Sequence, residues 1–493
     1  MSPLSRFKEP WMDATRPPSS TCPDDFPSYP CSEPESLVST SRPVSFEIGT
    51  GASIYTRSLL PAILKAEREV ILVTCFWAQS STLDALRETL EQLARLREDR
   101  IRKSHPARRT LPPLEVHICF SSRSFFQKLF HTRSRDGYTY PPSKWASKLG
   151  LPDPKLLEAG LINLRAKSLF FLPFSVMHPK FLIIDRQRAW LPSANVSWEP
   201  WLEGCVEITG DAVSTLLRFY SSVWDRNLEI NERPPVTGGP QQQAHSRARL
   251  TSIQSPATHL VTLQLDDIPT ILLPSSHHCN PQFRPLPWQH FPRPPNTPLN
   301  CAILRLIATA EKKIYIQTPN LTSAAVIDAL LEALNRGIDV TVVTNKGMMI
   351  LEQILTGGTI TSWCLQSFIT LYEKLMKRFI HSTGGSNYEG TNALLDLEAR
   401  PPRLGSLQIF YFHPLRENQL QQVSEEPVHS HLKLVMVDDE YAVLGSGNMD
   451  RASWFTSQEL GILFQSKKFV TNVSNAVSQA LRGRISPVFN PGH

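Results

Sequence analysis

The sequence predicts an α/β protein built from two similar halves. A short motif of histidine, lysine and aspartate occurs twice, at 178–185 and 431–438, and the same alternation of apolar helices and strands precedes each copy. Such alternation is typical of β-α-β units with parallel strands. Self-similarity on this scale indicates an internal duplication. With 493 residues, 41% of them hydrophobic, the chain is long enough to bury a substantial core.

The predicted helices and strands correspond between the halves. LLPAILKAEREVILVTCFW, from Leu59, and CAILRLIATAEKKIYIQTPN, from Cys301, each combine an apolar-periodic helix with a strand rich in β-branched and aromatic residues. A second helix follows in each half, STLDALRETLEQLARL or SAAVIDALLEALNRG, and then a second strand, LEVHICFSS or IDVTVVTNK. We therefore expect two matching parallel β-α-β units.

The repeated motif places a histidine and a lysine two residues apart at the entrance of an apolar strand. The first copy is MHPKFLIID, with His178 and Lys180, and the second is HLKLVMVDD, with His431 and Lys433. Alternate side chains of a strand share a face, so an imidazole and an ammonium are expected side by side. This pairing indicates a place for an anionic group.

A small polar turn and then a glutamate follow each motif. The turns LPSAN and LGSGN end at Asn195 and Asn448, ten residues after the motif's aspartate in both copies. Spacing selects Glu207, twelve residues after its asparagine, and Glu459, eleven residues after. The first turn contains Pro192 where the second contains glycine, so the two turn backbones are constrained differently.

These duplicated HxKxxxxD segments and Ser-x-Asn turns resemble the phospholipase D superfamily. That superfamily includes phospholipases D, cardiolipin synthases, phosphatidylserine synthases, some nucleases and tyrosyl-DNA phosphodiesterases. The resemblance covers most of residues 46–470 and implies a pseudo-twofold pair of phospholipase D-like α/β/α sandwich halves sharing one active site. The TPN passage ending at Asn320, with ALLEALNRGIDVTVV after it, is similar to cardiolipin synthases and related bacterial-type enzymes, which favours a phospholipid substrate.

The chemistry of a phosphodiester fits these residue types. Its negative charge repels water and hydroxide, so cleavage needs cations around the phosphoryl oxygens and a nucleophile that is neutral near pH 7. Histidine can serve as nucleophile or as proton donor. The resemblance implies that His178 forms a phosphohistidine while His431 protonates the leaving alkoxide and later activates water or an alcohol. No metal or other cofactor is needed.

The resemblance implies a role for each remaining candidate. The lysines and asparagines would hold the nonbridging oxygens, the serines would be further donors, and the glutamates would orient the imidazoles. The catalytic candidates are His178, Lys180, Asp185, Glu207, His431, Lys433, Asp438 and Glu459. The phosphate-binding candidates are Ser193, Asn195, Ser446 and Asn448. The aspartates end their strands and are expected to have supporting roles.

Composition predicts the organisation of the chain. We expect a disordered Pro/Ser-rich segment at 1–42, a first half at 43–230, a Pro-rich linker at 231–297, and a second half at 298–485 with an insertion near 345–405. THLVTLQLDD inside the linker could add a strand. The adjacent His-His-Cys at 277–279 lacks paired zinc-ligand spacing and is interpreted as a loop.

Two basic segments do not decide between a membrane and a nucleic acid as the binding partner. TSWCLQSFITLYEKLMKRFI, from Thr361, could be an amphipathic helix lying on a membrane, or its apolar stripe could pack on the core. ARLREDRIRKSHPARR, from Ala94, could track a nucleic-acid backbone or be a solvated helix end. The net charge of +6 suits an anionic substrate or surface without indicating nucleic acid.

The sequence therefore favours an enzyme acting on phospholipids, by hydrolysis or by phosphatidyl transfer, with possible peripheral membrane association. The alternatives are a nuclease or other nucleic-acid phosphodiesterase of the same superfamily and, more distantly, an inactive binding module. No apolar run reaches the length of a transmembrane helix, no signal-peptide core is visible, and the eight scattered cysteines resemble reduced core residues. We expect an intracellular protein, cytoplasmic or peripheral to a membrane.

Overall fold

A computed structural model describes residues 3–16, 33–103, 111–171, 175–230, 257–275, 293–384, 403–415 and 425–491. The chain forms two compact units with a boundary between Asp267 and Ile268. The N-terminal unit begins at Ser39, and the C-terminal unit also includes the first 38 residues. Glu425 and Glu426 belong with the N-terminal unit.

Helix α1 (Pro3–Thr15) departs from the predicted disorder of residues 1–42. Phe7 and Trp11, one helical turn apart, are buried in the C-terminal unit, and Trp11 Nε1 donates to Pro298 O at 3.0 Å. The proline-rich composition around it concealed this i, i+4 apolar pair. A strand also begins before residue 42, at Val38. Residues 17–32 lie outside the described part of the chain.

The N-terminal unit contains one large mixed sheet flanked by helices. Its elements are β1 (Val38–Thr50), α2 (Gly51–Ile54), α3 (Leu60–Ile63), β2 (Glu69–Phe76), α4 (Ser81–Lys103), β3 (Leu114–Ser122), α5 (Phe125–Leu129), β4 (Tyr138–Tyr140), α6 (Pro154–Ala159), β5 (Ile162–Ser168), β6 (Phe170–Phe171), β7 (Ser175–Val176), β8 (Phe181–Ile184), β9 (Arg188–Pro192), β10 (Trp201–Thr209), α7 (Asp211–Val223) and β11 (His259–Thr262). The sheet order is β4-β5-β3-β2-β8-β9-β10-β1-β11. Strands β5, β3 and β2 are parallel and the other pairs are antiparallel.

Side chains of β3 show how this sheet is covered on both faces. Val116 and Ile118 join the apolar cluster that includes α4. His117 and Cys119 alternate with them and contact Tyr220 of α7, by an edge-to-face ring contact and a 3.9 Å sulfur–hydroxyl approach. Both faces of this strand are therefore covered, as is typical of parallel strands in an α/β protein. The unit is thus an α/β/α sandwich.

The C-terminal unit repeats this architecture. Its elements are β12 (Ile268–Ser275), α8 (Pro298–Thr309), β13 (Lys313–Gln317), α9 (Ala324–Asn335), β14 (Asp339–Thr344), α10 (Ile350–Gly357), α11 (Thr361–Gly384), β15 (Leu407–Phe412), β16 (His429–Ser430), β17 (Leu434–Val437), β18 (Tyr441–Gly445), α12 (Arg451–Phe455), β19 (Glu459–Gln465), α13 (Lys467–Ala480) and β20 (Ile485–Phe489). The order β20-β15-β14-β13-β17-β18-β19-β12 corresponds strand for strand to the N-terminal sheet from β4 to β1. In both units the three parallel strands are followed by the antiparallel strands that carry the repeated motif.

Part of the predicted linker at 231–297 belongs to the sheets. Strand β11 lies inside the THLVTLQLDD stretch and pairs with β1, which confirms the strand expected there. Strand β12 pairs antiparallel with β19, with Leu272 opposite Ile462, and is therefore part of the C-terminal unit. Burial of Ile271, Leu272 and Leu273 explains this placement. Residues 231–256 and 276–292, including the His-His-Cys sequence, lie outside the described part.

Parts of the two basic segments belong to the fold. On α11, Phe368 and Tyr372 of the apolar stripe are buried and Tyr372 Oη donates to Gly405 O at 2.8 Å, whereas Trp363 of the same stripe is 62% exposed. In the basic run, buried Arg97 donates to Gly160 O and Pro112 O, which ties α4 to neighbouring loops. Residues 104–109 of that run are outside the description. Among the described residues, no helix combines the length and apolar composition needed to cross a bilayer.

Candidate functional site

Each motif histidine and lysine lie just before a strand. His178 and Lys180 precede β8, and His431 and Lys433 precede β17. Lys180 Nζ donates to His178 O at 2.9 Å, and Lys433 Nζ donates to His431 O at 2.6 Å. The histidine and lysine were expected to share one face of a strand, but they lie before the strand. Each lysine ammonium instead folds back and donates to the backbone carbonyl of its own motif histidine. Both lysines are buried.

The residue before each histidine is held by the carboxyl end of the second parallel strand. In the C-terminal unit, Asn345 Nδ2 donates to Ser430 O at 2.8 Å and Ser430 N donates to Asn345 Oδ1 at 2.9 Å. In the N-terminal unit, Met177 N donates to Ser121 Oγ at 2.9 Å. Sequence reasoning missed Ser121 and Asn345, although both stand at the ends of predicted strands, where polar residues often serve a site.

The two motif aspartates fold the chain at the opposite ends of β8 and β17. Asp185 accepts from the backbone N–H groups of residues 67–69 at 2.7–3.3 Å, and Asp438 accepts from those of residues 311–313 at 2.8–3.0 Å. Both have positive φ, 52° and 55°. Seven extended residues span about 20 Å, so each aspartate is remote from its histidine. The structure gives these catalytic candidates a structural role.

A serine in each polar turn binds a glutamate on the neighbouring strand. Ser446 Oγ donates to Glu459 Oε2, and Ser193 Oγ donates to Glu203 Oε2. The N–H of the residue after each glutamate donates to the serine Oγ, at 3.0 Å in the C-terminal unit and 2.9 Å in the N-terminal unit. The equivalent of Glu459 is therefore Glu203, and the prediction of Glu207 for this position is wrong.

Spacing failed because the segment between turn and strand differs in length. The C-terminal unit inserts helix α12 there, so Glu459 is eleven residues after its asparagine. The N-terminal unit lacks this helix in its described residues, and Glu203 comes eight residues after Asn195. Glu207 lies further along β10, where it accepts from Arg188 Nε at 2.9 Å and Ser45 Oγ at 3.2 Å. It is a structural ion pair.

The serine hydroxyls of both turns already donate hydrogen bonds to the glutamates. A hydroxyl has one proton to donate, and in both turns that proton goes to the glutamate. Ser193 and Ser446 thus position carboxylates and are not the phosphate donors that the sequence suggested. Pro192 does not displace the first turn, because Ser193 N still donates to Gly204 O at 2.8 Å, as Ser446 N does to Leu460 O at 2.9 Å.

Residues 303–481, which include the second motif, match the family model described as Cardiolipin synthase, PLD-like domain. The C-terminal unit contains a phospholipase D-like domain. Among curated proteins, none matches the sequence of the chain.

Comparison with solved structures extends the fold to both units. Phosphatidylserine synthase from Haemophilus influenzae Rd KW20 is 15% identical, with a TM-score of 0.53, over 92% of this chain and 90% of that chain. Polyphosphate kinase from Porphyromonas gingivalis is 10% identical, with a TM-score of 0.43, over 88% of this chain and 47% of that chain. Nuc from Salmonella typhimurium, a phospholipase D family member, is 15% identical, with a TM-score of 0.22, over 38% of this chain and 90% of that chain. The first comparison shows the fold and confirms the predicted α/β class, while the family match applies to residues 303–481.

The asparagines of the two polar turns are held differently. Asn195 Oδ1 accepts from Phe76 N at 3.2 Å, which leaves its amide nitrogen as the available donor. Asn448 Nδ2 donates to Asp450 Oδ2 at 3.0 Å. Asp450 also caps α12 by accepting from Ser453 N at 2.9 Å, and burial raises the pKa of its carboxyl. Spacing arguments missed Asp450 because the first copy has serine there.

The described residues around the two motifs form no cluster suited to a metal. Among the described residues, no group of three or more histidine, cysteine, aspartate and glutamate side chains is arranged to hold an ion. The described cysteines have free thiols, and Cys75, Cys119 and Cys205 are buried. Burial raises the pKa of Cys119 to about 12, so this thiol is an inert core group.

Proposed function

We propose that this protein is a phospholipase D-type phosphodiesterase that acts on phospholipids, either by hydrolysis or by transfer of the phosphatidyl group to an alcohol. The observation that supports it is the repetition of one half-site. Each unit has a histidine at the entrance of a short strand, a buried lysine bonded to that histidine's carbonyl, and a serine-bound glutamate.

In the proposed reaction the two half-sites act on one phosphodiester. An imidazole nitrogen of His178 attacks phosphorus and forms a P–N bond, while the P–O bond to the leaving group breaks. His431, as imidazolium, gives its proton to the departing alkoxide. Neutral His431 then takes a proton from water or an alcohol, whose oxygen attacks phosphorus and releases His178. The cycle balances without a metal.

The lysines and glutamates support the charged intermediates. Each lysine ammonium is held next to its histidine by a hydrogen bond to that residue's carbonyl, and we assign the lysines to the nonbridging oxygens, since an ammonium can donate to more than one acceptor. We assign Asn195 and Asn448 as helpers in that contact. Glu203 and Glu459 are proposed to orient the imidazoles and stabilise their protonated forms, as a carboxylate does in a catalytic triad.

Two observations favour a lipid over a nucleic acid. The C-terminal unit matches a family described by a cardiolipin synthase, and within the described part of the basic run Arg97 is buried while Arg95 and Arg102 form ion pairs along their own helix. A phospholipid substrate also accords with a cytoplasmic or membrane-peripheral location, which we include in the proposal.

Turnover of labelled phosphatidylcholine, phosphatidylglycerol and single-stranded DNA in EDTA tests the proposal. We expect lipid turnover by the wild type, none by His178→Ala or His431→Ala, and normal turnover by His413→Ala, which removes an exposed histidine. Ethanol or glycerol separates transfer from hydrolysis. A covalent adduct trapped in His431→Ala but absent in His178→Ala supports the nucleophile assignment. Cleavage of DNA alone would make the protein a nuclease, and no turnover or adduct would indicate an inactive module.

A further inference from the structure

An exposed apolar segment follows strand β3 in the N-terminal unit. We call residues 123–135, RSFFQKLFHTRSR, the docking segment. Ser124 caps its short helix α5 by accepting from Gln127 N at 3.2 Å. Phe126, Leu129 and Phe130 are 72%, 51% and 84% exposed. Three large apolar side chains at one surface site are unfavourable in water and are typical of a surface that meets another apolar phase.

The docking segment lies at the edge of the sheet that carries His178. Strands β2, β3 and β5 are parallel, so their carboxyl ends meet at one edge. Strand β8 is antiparallel to β2, so its amino end, with His178 just before it, lies at that same edge. Exposed Trp198 is also there and packs edge-to-face on Phe76 with ring centroids 6.1 Å apart. The apolar surface and the half-site therefore share one end of the unit.

The charge of the docking segment favours an anionic partner. It contains four basic residues, Arg123, Lys128, Arg133 and Arg135, and no acidic residue. Arg133 and Arg135 are exposed. Aromatic side chains among cations suit the interface of an anionic bilayer, where rings enter the headgroup layer and cations remain with the phosphates.

The C-terminal unit has an apolar surface at the corresponding point of its own fold. Strand β14 is the counterpart of β3, and helix α10 follows it with Ile350, Leu351 and Ile354 exposed. That helix comes after the strand end that holds the residue before His431. Recurrence of exposed apolar residues after equivalent strands, although the residue types differ, links this surface feature to the site edge in each unit.

We propose that the docking segment inserts into the interface of an anionic phospholipid membrane and thereby brings lipid phosphodiesters to the end of the unit that carries His178. This inference rests on the proposed function for the fate of the lipid, whereas the membrane contact itself requires only the docking segment.

Vesicle sedimentation and turnover, measured on the full chain, test the two claims separately. Sedimentation uses phosphatidylcholine vesicles with and without phosphatidylglycerol, and turnover uses vesicles and a short-chain phospholipid dissolved as monomers. We expect the wild type to bind the anionic vesicles. Phe126→Ser/Phe130→Ser should bind them roughly tenfold or more weakly. Leu129→Ser is compared with Leu260→Ser, because the two leucines are 51% and 47% exposed in the same unit.

The docking proposal predicts that the double variant loses more turnover on vesicles than on dissolved lipid, and that Leu260→Ser matches the wild type. Equal vesicle binding by the wild type and the double variant would overturn it, as would binding of single-stranded DNA in preference to vesicles, or variant-sensitive self-association without vesicle binding. Vesicle binding without turnover would instead reject the proposed function and leave the docking segment standing. Turnover of dissolved lipid without vesicle binding would reject the docking proposal and leave the proposed function standing.

Discussion

Replacement of Glu203 and Glu207 by glutamine separates the glutamate that the structure selects from the one that spacing selected. Glutamine preserves the shape of each side chain and removes its charge. Glu203 is bound by Ser193 in the same way as Glu459 is bound by Ser446, whereas Glu207 is bound by Arg188. The two substitutions are four residues apart on one strand, so they control for general damage to β10.

The structure sets different magnitudes for the two variants. If Glu203 stabilises a histidinium, loss of its charge should lower kcat/KM roughly 10²- to 10⁴-fold, as expected when an imidazole loses its carboxylate partner. Glu207→Gln loses an ion pair with Arg188, whose side chain is 46% exposed, so solvent screening limits the loss of unfolding free energy to about 1 kcal/mol. We expect its kcat/KM to stay within about twofold of the wild type.

The assay is lipid turnover per folded molecule, with urea unfolding to determine the folded fraction. Glu459→Gln provides the positive comparison and should resemble Glu203→Gln. A large activity loss in Glu207→Gln with a nearly active Glu203→Gln would refute the structural assignment and restore the one based on spacing.

Three other substitutions test structural roles. Asp438→Ala removes the acceptor for three backbone N–H groups and should lower the unfolding free energy by about 2–3 kcal/mol, with kcat per folded molecule nearly unchanged; a stable but inactive variant would contradict this. Asn345→Ala removes the side chain that hydrogen-bonds the backbone N–H and carbonyl of buried Ser430. It should lower kcat, and it should lower the free energy of unfolding measured in urea by about 2 kcal/mol. A normal kcat would exclude a positioning role for Asn345. Burial raises the pKa of Glu47 from 4.5 to about 7. Because the unfolded chain releases this proton at lower pH than the folded protein does, the free energy of unfolding should fall as the pH rises from about 4.5 to 7. Glu47→Gln should remove that fall and be about 3 kcal/mol more stable than the wild type at about pH 8. A urea midpoint of Glu47→Gln that follows the wild-type pH profile would contradict this reasoning.

Much of the fold could be predicted because its signals are local. The periodicity around Leu59 and Cys301 fixed the β-α-β order, and the repeated motif located the edge of each sheet that carries a histidine. Helix α1 was missed because its apolar pair, Phe7 and Trp11, gains its stability from packing in the C-terminal unit, a contact with residues nearly three hundred positions away. Tertiary burial of this kind outweighs local composition.

The site was less predictable because hydrogen bonds decide roles that residue types leave open. A serine near a phosphate site can bind phosphate or a carboxylate, and only the contacts of Ser193 and Ser446 show that the proton goes to glutamate. An aspartate in the motif can act on the imidazole or fold the turn, and the backbone bonds of Asp185 and Asp438 show the latter. These choices depend on register and chain direction, which spacing along the sequence does not determine.

Packing beside the glutamates gives an independent reason to pair Glu203 with Glu459. In the C-terminal unit, a Cβ added at Gly447 would lie 2.8 Å from Leu299 Cδ2 and 3.9 Å from Glu459 Cγ. In the N-terminal unit the small residue is on the helix, where a Cβ added at Gly51 would lie 3.2 Å from Ala194 Cβ and 3.9 Å from Glu203 Cγ. A glycine therefore lies beside each glutamate, on the helix in one unit and in the turn in the other. In a close-packed interior an added side chain at either glycine would have to displace its neighbours. Sequence comparison of the halves aligns the motifs but sees these positions as mismatches, and this is why the equivalence of the two glutamates emerges only from the packed structure.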